Sequence, residues 1–370
     1  MPSLKVLLYT TFTVLTLPAR LLGICLYYLP RFTRPNAAWS YKATVNLKLI
    51  TLWFRYATAV KWRTAKSLEP GPDGDRFIVM NPPTRLANDQ NDPQDAYQGI
   101  LRSDPAICPV PIGAVWYPAA PAQDQPPRRL ILHFHPGAYV LFGPRPSETG
   151  WGPENFSKQS GWPVLSVQYR LSLEEHTSFP AAVQDGITAY IYALKTLGIP
   201  ASEIVLSGES AGANLVCAIL RYLTTEKQPL PLPRAALLWH PWVDLREKAI
   251  AGIERHRNFA SDYLFYDLIE WGADRYTPSG WSRDHPYISP LGNELRLAVP
   301  LFIQTGTAEV LYDDHVLFAK NLKEKGNEVE FHEVPNAAHA AFGTGEVFDT
   351  VDASLEGHKL AADFIARAGK

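Results

Sequence analysis

The chain has 370 residues, 46% of them hydrophobic and 19% charged, with a formal net charge of −2. That length suits one large α/β domain or two smaller ones, each with its own core. The near-neutral balance argues against nucleic acid as a partner, because phosphate binding needs clustered Lys and Arg. Three cysteines (Cys25, Cys108, Cys217) lie too far apart for a CxxC knuckle or a disulfide framework. Cys217 falls in an apolar helical pattern and reads as a core residue.

The first element is "VLLYTTFTVLTLPARLLGICLYYLP", residues 6–30, apolar over about the length that a bilayer helix requires. Pro18 and Arg20 sit near its centre, where a charge is costly. Three readings stay open: a signal anchor or membrane-associated hairpin, a soluble apolar cap helix, and a cleaved signal peptide. Leu17-Pro18-Ala19 is a poor small-x-small site, which disfavours cleavage. Arg31, Arg34, Lys42 and Lys48 after the segment outnumber Lys5 before it, so a spanning segment would leave the bulk on the cytoplasmic side. The location is thus an endoplasmic-reticulum-like membrane or the cytoplasm. Oligomeric state is not legible. The sequon Asn155-Phe156-Ser157 carries little weight alone.

Residues 37–66 place Leu47, Leu49, Leu52 and Phe54 at helical spacing and read as one amphipathic helix. A break at "EPGPDG" (69–74) follows, and from there β-type runs alternate with helical patterns. The runs are "RFIVM", "GAVWYP", 128–135, 163–169, "EIVLSG" (203–208), 235–242, "PLFIQTG" (300–306) and "VEFHEVP". Helices are expected over 179–198, from Ala211, from "DDHVLFAKNLKEKG" and over 354–368. Strands alternating with crossover helices imply a mostly parallel, twisted sheet covered on both faces, with its site at the carboxyl ends of the strands. The chain therefore divides into an apolar segment 1–35, an N-terminal cap with the first strands over 36–110, and a catalytic domain over 111–370. A cap insertion interrupts that domain at about 246–290.

"LSGESAGANL" (206–215) places Ser210 between Gly208 and Gly212, after a strand and before a helix. A serine hydroxyl is a poor nucleophile until a base takes its proton and donors hold the oxyanion that forms. A tight strand-to-helix turn exposes the hydroxyl and crowds its neighbours, which is why small residues flank it. The alternative is an ordinary serine N-cap. For the base, "VEFHEVPNAAHAAF" offers His332, inside the strand pattern and structural, and His339, in a loop of small residues. For the acid, Glu309 lies in the loop three residues past Gly306, whereas Asp313 and Asp314 fit as charges in the first turn of the next helix. The order Ser210, Glu309, His339 is that expected of an α/β-hydrolase fold.

Backbone donors for the oxyanion are expected in "LHFHPGAYV". Here the sequence resembles the hormone-sensitive-lipase-like esterases and lipases, whose HGGG motif is matched by His135-Pro136-Gly137-Ala138. The resemblance implies that the amides of Gly137 and Ala138 donate, with Ala211 completing the set. Pro136 lacks an N–H but stands at a position that does not donate. The resemblance runs over roughly residues 110–345 and includes "YRLSLEEHTSFPAAVQDGITAY", "GESAGANL", "HPWVDL" and "YISPLG". The use of Glu309 where the family more often has Asp is a departure. The apolar start is similar to that of fungal and steryl-ester-hydrolysing members. His133 and His135 could be imagined as metal ligands, but no third ligand lies nearby, so neither metal nor cofactor is expected.

The expected activity is cleavage of small or medium hydrophobic carboxylic esters. The alternatives are an amide or lactone hydrolase or an acyltransferase using the same residues, or a relative that only binds a small ligand.

Overall fold

The structure, a computed structural model, describes residues 4–64, 66–83, 96–122, 125–227 and 230–368. Eight strands form one sheet: β1 (Phe77–Met80), β2 (Ile112–Tyr117), β3 (Leu130–Phe134), β4 (Val164–Gln168), β5 (Ile204–Glu209), β6 (Ala235–Trp239), β7 (Leu301–Gly306) and β8 (Val329–Val334). Their spatial order is β1-β2-β4-β3-β5-β6-β7-β8. β2 runs antiparallel to both β1 and β4, and every other pairing is parallel. β3, β5, β6 and β7 are mostly apolar and buried throughout because helices cover both faces. β8, at the edge, is half-buried from Val329 to His332, exposed at Glu333 and buried at Val334.

Among the described residues ten α-helices accompany the sheet: α1 (Leu4–Tyr27), α2 (Tyr41–Val60), α3 (Pro146–Thr149), α4 (Trp151–Ser160), α5 (Ala181–Ile191), α6 (Ala211–Thr225), α7 (Glu247–Gly252), α8 (Tyr266–Tyr276), α9 (Tyr312–Glu324) and α10 (Val351–Arg367). On one face, Phe156 of α4 and Phe364 and Ile365 of α10 pack with Trp239, Phe302 and Phe342. On the other, Ile187 of α5, Val216 and Ile219 of α6 and Phe318 of α9 share a core with Leu132, Phe134, Leu206 and Leu238.

Several elements are shorter than the sequence suggests, each for a local reason. The amphipathic pattern over 37–66 folds as α2 only, because Ser40 Oγ accepts from the Ala43 amide and Lys61 takes left-handed backbone (φ 51°). The stretch 179–198 is helical from Ala181, turns to a π-type turn over Tyr192–Thr196 and stops before Gly198 (φ 67°). The strand expected over 235–242 ends at Trp239, where His240 takes φ 48° and leads the chain out of the sheet.

The cap is built from two parts of the chain. Phe54 of α2 stacks on Tyr263 with ring centroids 5.2 Å apart, and Trp53 stacks on Phe142 at 5.6 Å. α2 also packs against α8, inside the insertion expected at 246–290. α1 lies on the outside of α2. Thr10 Oγ1 and the Tyr56 hydroxyl are 3.1 Å apart, and the Tyr41 hydroxyl donates to the Cys25 carbonyl at 2.9 Å. No residue of α1 is buried, and by length and composition the helix is long and apolar enough to cross a membrane.

Candidate active site

Ser210 stands between β5 and α6 with φ 55° and ψ −115°, a conformation that costs a non-glycine residue on the order of 1–3 kcal/mol. The surroundings hold it there: its amide donates to the Trp239 carbonyl at 2.9 Å, and its carbonyl accepts from Trp242 at 3.1 Å. The flanking glycines are a packing requirement. A Cβ on Gly208 would come 2.2 Å from the Gly212 carbonyl oxygen, and one on Gly212 would come 2.0 Å from that of Phe134.

The loops after β7 and β8 bring Glu309 and His339 to this serine. His339 Nε2 lies 2.9 Å from Ser210 Oγ, and His339 Nδ1 lies 2.5 Å from Glu309 Oε2. With Nδ1–H donating to the carboxylate, Nε2 is left to accept from the serine hydroxyl. Glu309 is fully buried, which pushes its pKa upward. His240 and His315 beside it more than reverse that, and they hold the carboxyl well below the usual range. Glu309 Oε1 accepts from His240 Nδ1 at 2.7 Å, from the Thr305 hydroxyl at 2.9 Å and from the Gly306 amide at 2.6 Å.

The other candidates go elsewhere. Asp313, in the first turn of α9, pairs with Arg257 at 2.5 and 2.6 Å and with His256 at 3.1 Å. His332 is a half-buried residue of β8 whose ring stacks on Phe302. His240 was not anticipated. Its signal was a histidine at the end of β6, the strand next to the one that leads to Ser210, a place where this fold gathers functional side chains.

The loop after β3 is held in a similarly constrained shape. Gly137 has φ 122°, and a Cβ there would strike the Leu141 carbonyl oxygen at 2.2 Å; Ala138 and Tyr139 follow in left-handed backbone (φ 52° and 61°). Tyr139 pins the loop, stacking on Tyr276 at 3.7 Å and donating to Asn214 Oδ1 at 2.7 Å. His135 stacks on Tyr169 at 4.1 Å, and the Tyr169 hydroxyl donates to the His135 carbonyl at 2.7 Å. Burial first, then the charge of Lys66, keeps His135 well below the usual histidine range, so it is neutral. His133 is lowered to about 3 by burial and lies 3.0 Å from Ser207 Oγ. Ala211 is the first residue of α6, where an amide has no intrahelical acceptor.

Gly137, Ala138, Ser210 and His339 open onto one cavity of about 280 Å³, roofed by Ile50, Trp53 and Phe54 of α2 and by Tyr263, Leu264, Leu268 and Ile269. Two buried carboxyls nearby were not anticipated either. Asp262 accepts from the amides of Tyr263 at 2.7 Å and Val310 at 2.7 Å, tying the roof to the Glu309 loop, and burial raises it to about 6 against the pull of His339. Glu209 lines the cavity itself, and burial pushes its carboxyl up to about 8. The ligand atoms of His240, Glu309 and His339 lie within 4.8 Å of one another, close enough for a metal ion, but hydrogen bonds among the three already occupy them.

The α/β-hydrolase family (alpha/beta hydrolase fold) matches residues 131–343. An acetyl-hydrolase of Streptomyces hygroscopicus is 35% identical over 213 residues, covering 57% of this chain and 67% of the relative. An ethyl acetate hydrolase of Pseudomonas putida is 26% identical over 243 residues, covering 64% and 73%. In fold the chain is similar to an esterase of the bacterial hormone-sensitive lipase family, with a TM-score of 0.62 at 22% identity, over 90% of this chain and 99% of that one. Fold, site and relatives define an α/β-hydrolase. The chain belongs to the α/β-hydrolase family.

Proposed function

We propose that this carboxylic ester hydrolase cleaves hydrophobic esters through an acyl-enzyme formed on Ser210. His339 Nε2 takes the proton from Ser210 Oγ as that oxygen attacks the ester carbonyl, and it returns the proton to the leaving alcohol. Glu309 stays charged throughout; it fixes the Nδ1–H tautomer and stabilises the imidazolium. The carbonyl oxygen becomes an oxyanion held by the amides of Gly137, Ala138 and Ala211, each worth roughly 2.7–4 kcal/mol at such a position. Water, activated by the same histidine, then releases the acid.

One observation carries this reading. The Ser210–His339–Glu309 chain, at 2.9 and 2.5 Å, ends in an apolar cavity of about 280 Å³. The aliphatic and aromatic lining supports hydrophobic substrates, and the short esters in the names of two relatives support a carboxylic ester as the bond cleaved. The exposed apolar helix α1, packed on the helix that roofs the cavity, supports work at a membrane surface.

The test is hydrolysis of p-nitrophenyl esters from acetate to decanoate, with labelling of Ser210 by a fluorophosphonate. Ser210→Ala is expected to lower kcat by roughly 10⁴–10⁶-fold and to abolish labelling. Wild-type protein that neither turns over any ester nor labels would sink the reading.

A further inference from the structure

Glu209 is the residue directly before the nucleophile, and the mechanism above gives it no task. It is 2% exposed and lines the cavity that holds Ser210 and His339. Its Oε1 accepts from the Gly343 amide at 3.2 Å. The carboxyl lies directly over that glycine, for a Cβ on Gly343 would come within 3.0 Å of Oε2. The charged and titratable groups that face it are the Glu309 carboxylate and the Tyr263 phenol, and neither brings positive charge. Of the other titratable groups that line this cavity, His339 directs its two ring nitrogens to Ser210 and Glu309, and Glu148 pairs with Lys66 at 3.2 Å.

Burial, reinforced by Glu309, pushes the Glu209 carboxyl up to about 8, so it keeps its proton at neutral pH. The cavity walls include Phe54, Phe142, Leu264, Leu268 and Phe348, whose side chains cannot accept a hydrogen bond, together with the acceptors Thr149, Thr344 and Glu148, none of which is hydrogen-bonded to Glu209. A carboxyl that lines a cleft with one amide donor and no cation beside it, and whose pKa is strongly shifted, is a mark of function.

We infer that Glu209 is a specificity-determining residue whose carboxyl O–H donates to an acceptor oxygen (ketone, ether or second ester carbonyl) on the substrate chain in the cavity. The inference rests on the ester-hydrolase reading. It adds a substrate class, hydrophobic esters bearing one more acceptor oxygen.

The test compares two matched pairs, one for each side of the ester bond: p-nitrophenyl 4-oxopentanoate against the pentanoate, and 3-oxobutyl against butyl butyrate. In wild type at pH 7 the oxo member of one pair is expected to have a kcat/KM about tenfold higher or more, the worth of one buried hydrogen bond. That ratio should fall as the pH is raised from 7 to 9, because the carboxylate form has no proton to donate. Glu209→Gln, which still carries an N–H donor, should keep the ratio and lose its pH dependence. Glu209→Leu should bring the ratio to about one whatever happens to the absolute rates, with fluorophosphonate labelling reporting a folded site. If Glu209→Leu does not fold, the pH dependence in wild type against Glu209→Gln decides. Wild-type ratios near one for both pairs, an unchanged ratio in Glu209→Leu, or an equal pH dependence in Glu209→Gln would overturn the inference. Failure of the underlying reading looks different: no ester of either kind is turned over and Ser210 does not label.

Discussion

His240 Nδ1 lies 2.7 Å from Glu309 Oε1, on the carboxylate oxygen opposite the one that His339 approaches. These two imidazoles, with His315 Nδ1 3.6 Å from Oε1, share one buried acid, and only His339 reaches the serine. His240 Nε2 in turn lies 3.3 Å from the Gln304 side-chain nitrogen, an arrangement that leaves Nδ1 as the donor. His240 is therefore a positioning residue: it holds the carboxylate charged and aimed. Its loss would leave Glu309 fully buried with one donor fewer. His240→Ala is expected to lower kcat about 10–100-fold with little change in KM, as losses of a supporting partner commonly do. The fall of activity on the acid side should move to higher pH, because Glu309 becomes easier to protonate. His240→Asn, which can donate from a similar place, should recover part of the loss. A kcat–pH profile of the three proteins checks this, and coincident profiles would contradict it.

The shape of the oxyanion loop depends on a glycine in the cap. A Cβ on Gly272 of α8 would come 2.4 Å from the Ala138 carbonyl oxygen, so this helix packs directly on the backbone assigned to the oxyanion. Gly272→Ala must move one of them. The expected result is a fall in kcat of roughly 10–100-fold from displaced donors, with KM less affected and the fold retained. Steady-state kinetics together with circular dichroism would separate this from unfolding. A variant with unchanged kcat would show that α8 moves and the loop does not.

Those two cases mark where sequence reading reached and where it stopped. Ser210, Glu309 and His339 were legible because each chemical role needs one residue type at the end of one strand, and chain order then restricts the choice. Gly137, Ala138 and Ala211 were proposed as donors from resemblance and from the helix start. His240, Asp262 and Glu209 carried no such signal: their significance comes from what tertiary packing sets beside them, here another carboxylate, a loop amide and a cavity wall. The cap was half legible. The helix over 37–66 was recognisable from its spacing, but nothing in the sequence says that Phe54 meets Tyr263, more than 200 residues away.

The protonated state of Glu209 also has a consequence for stability. Its carboxyl is raised from 4.5 to about 8 by burial, so between those values the folded chain binds a proton that the unfolded chain has released. The stabilisation linked to that proton is complete below about 4.5 and is lost as the pH rises through about 8. Glu209→Gln cannot titrate. Its Tm relative to wild type should therefore increase steadily from pH 5 to pH 8.5. Thermal unfolding at four or five pH values checks this, and a difference that stays flat would mean that Glu209 is ionised in the folded protein.

The last prediction concerns α1, which exposes Leu7, Leu8, Phe12, Leu15 and Leu22. Leu15 keeps 75% of its surface open. A continuous apolar surface of this kind is costly in water and marks a partner or a membrane. α1 packs on α2, which supplies Ile50, Trp53 and Phe54 to the roof of the cavity. A helix held in the bilayer would therefore keep that roof next to the phase in which hydrophobic esters dissolve. In a flotation experiment with phosphatidylcholine vesicles the full chain is expected to rise with the lipid. Deletion of residues 1–35 should leave the protein in the lower fractions with Ser210 still reactive to fluorophosphonate. Leu8→Lys and Leu15→Lys together, which keep the helix but charge its face, should weaken flotation. A full chain that stays below the vesicles would remove the membrane from this protein's function, and a deleted chain that still floats would move the contact to another surface.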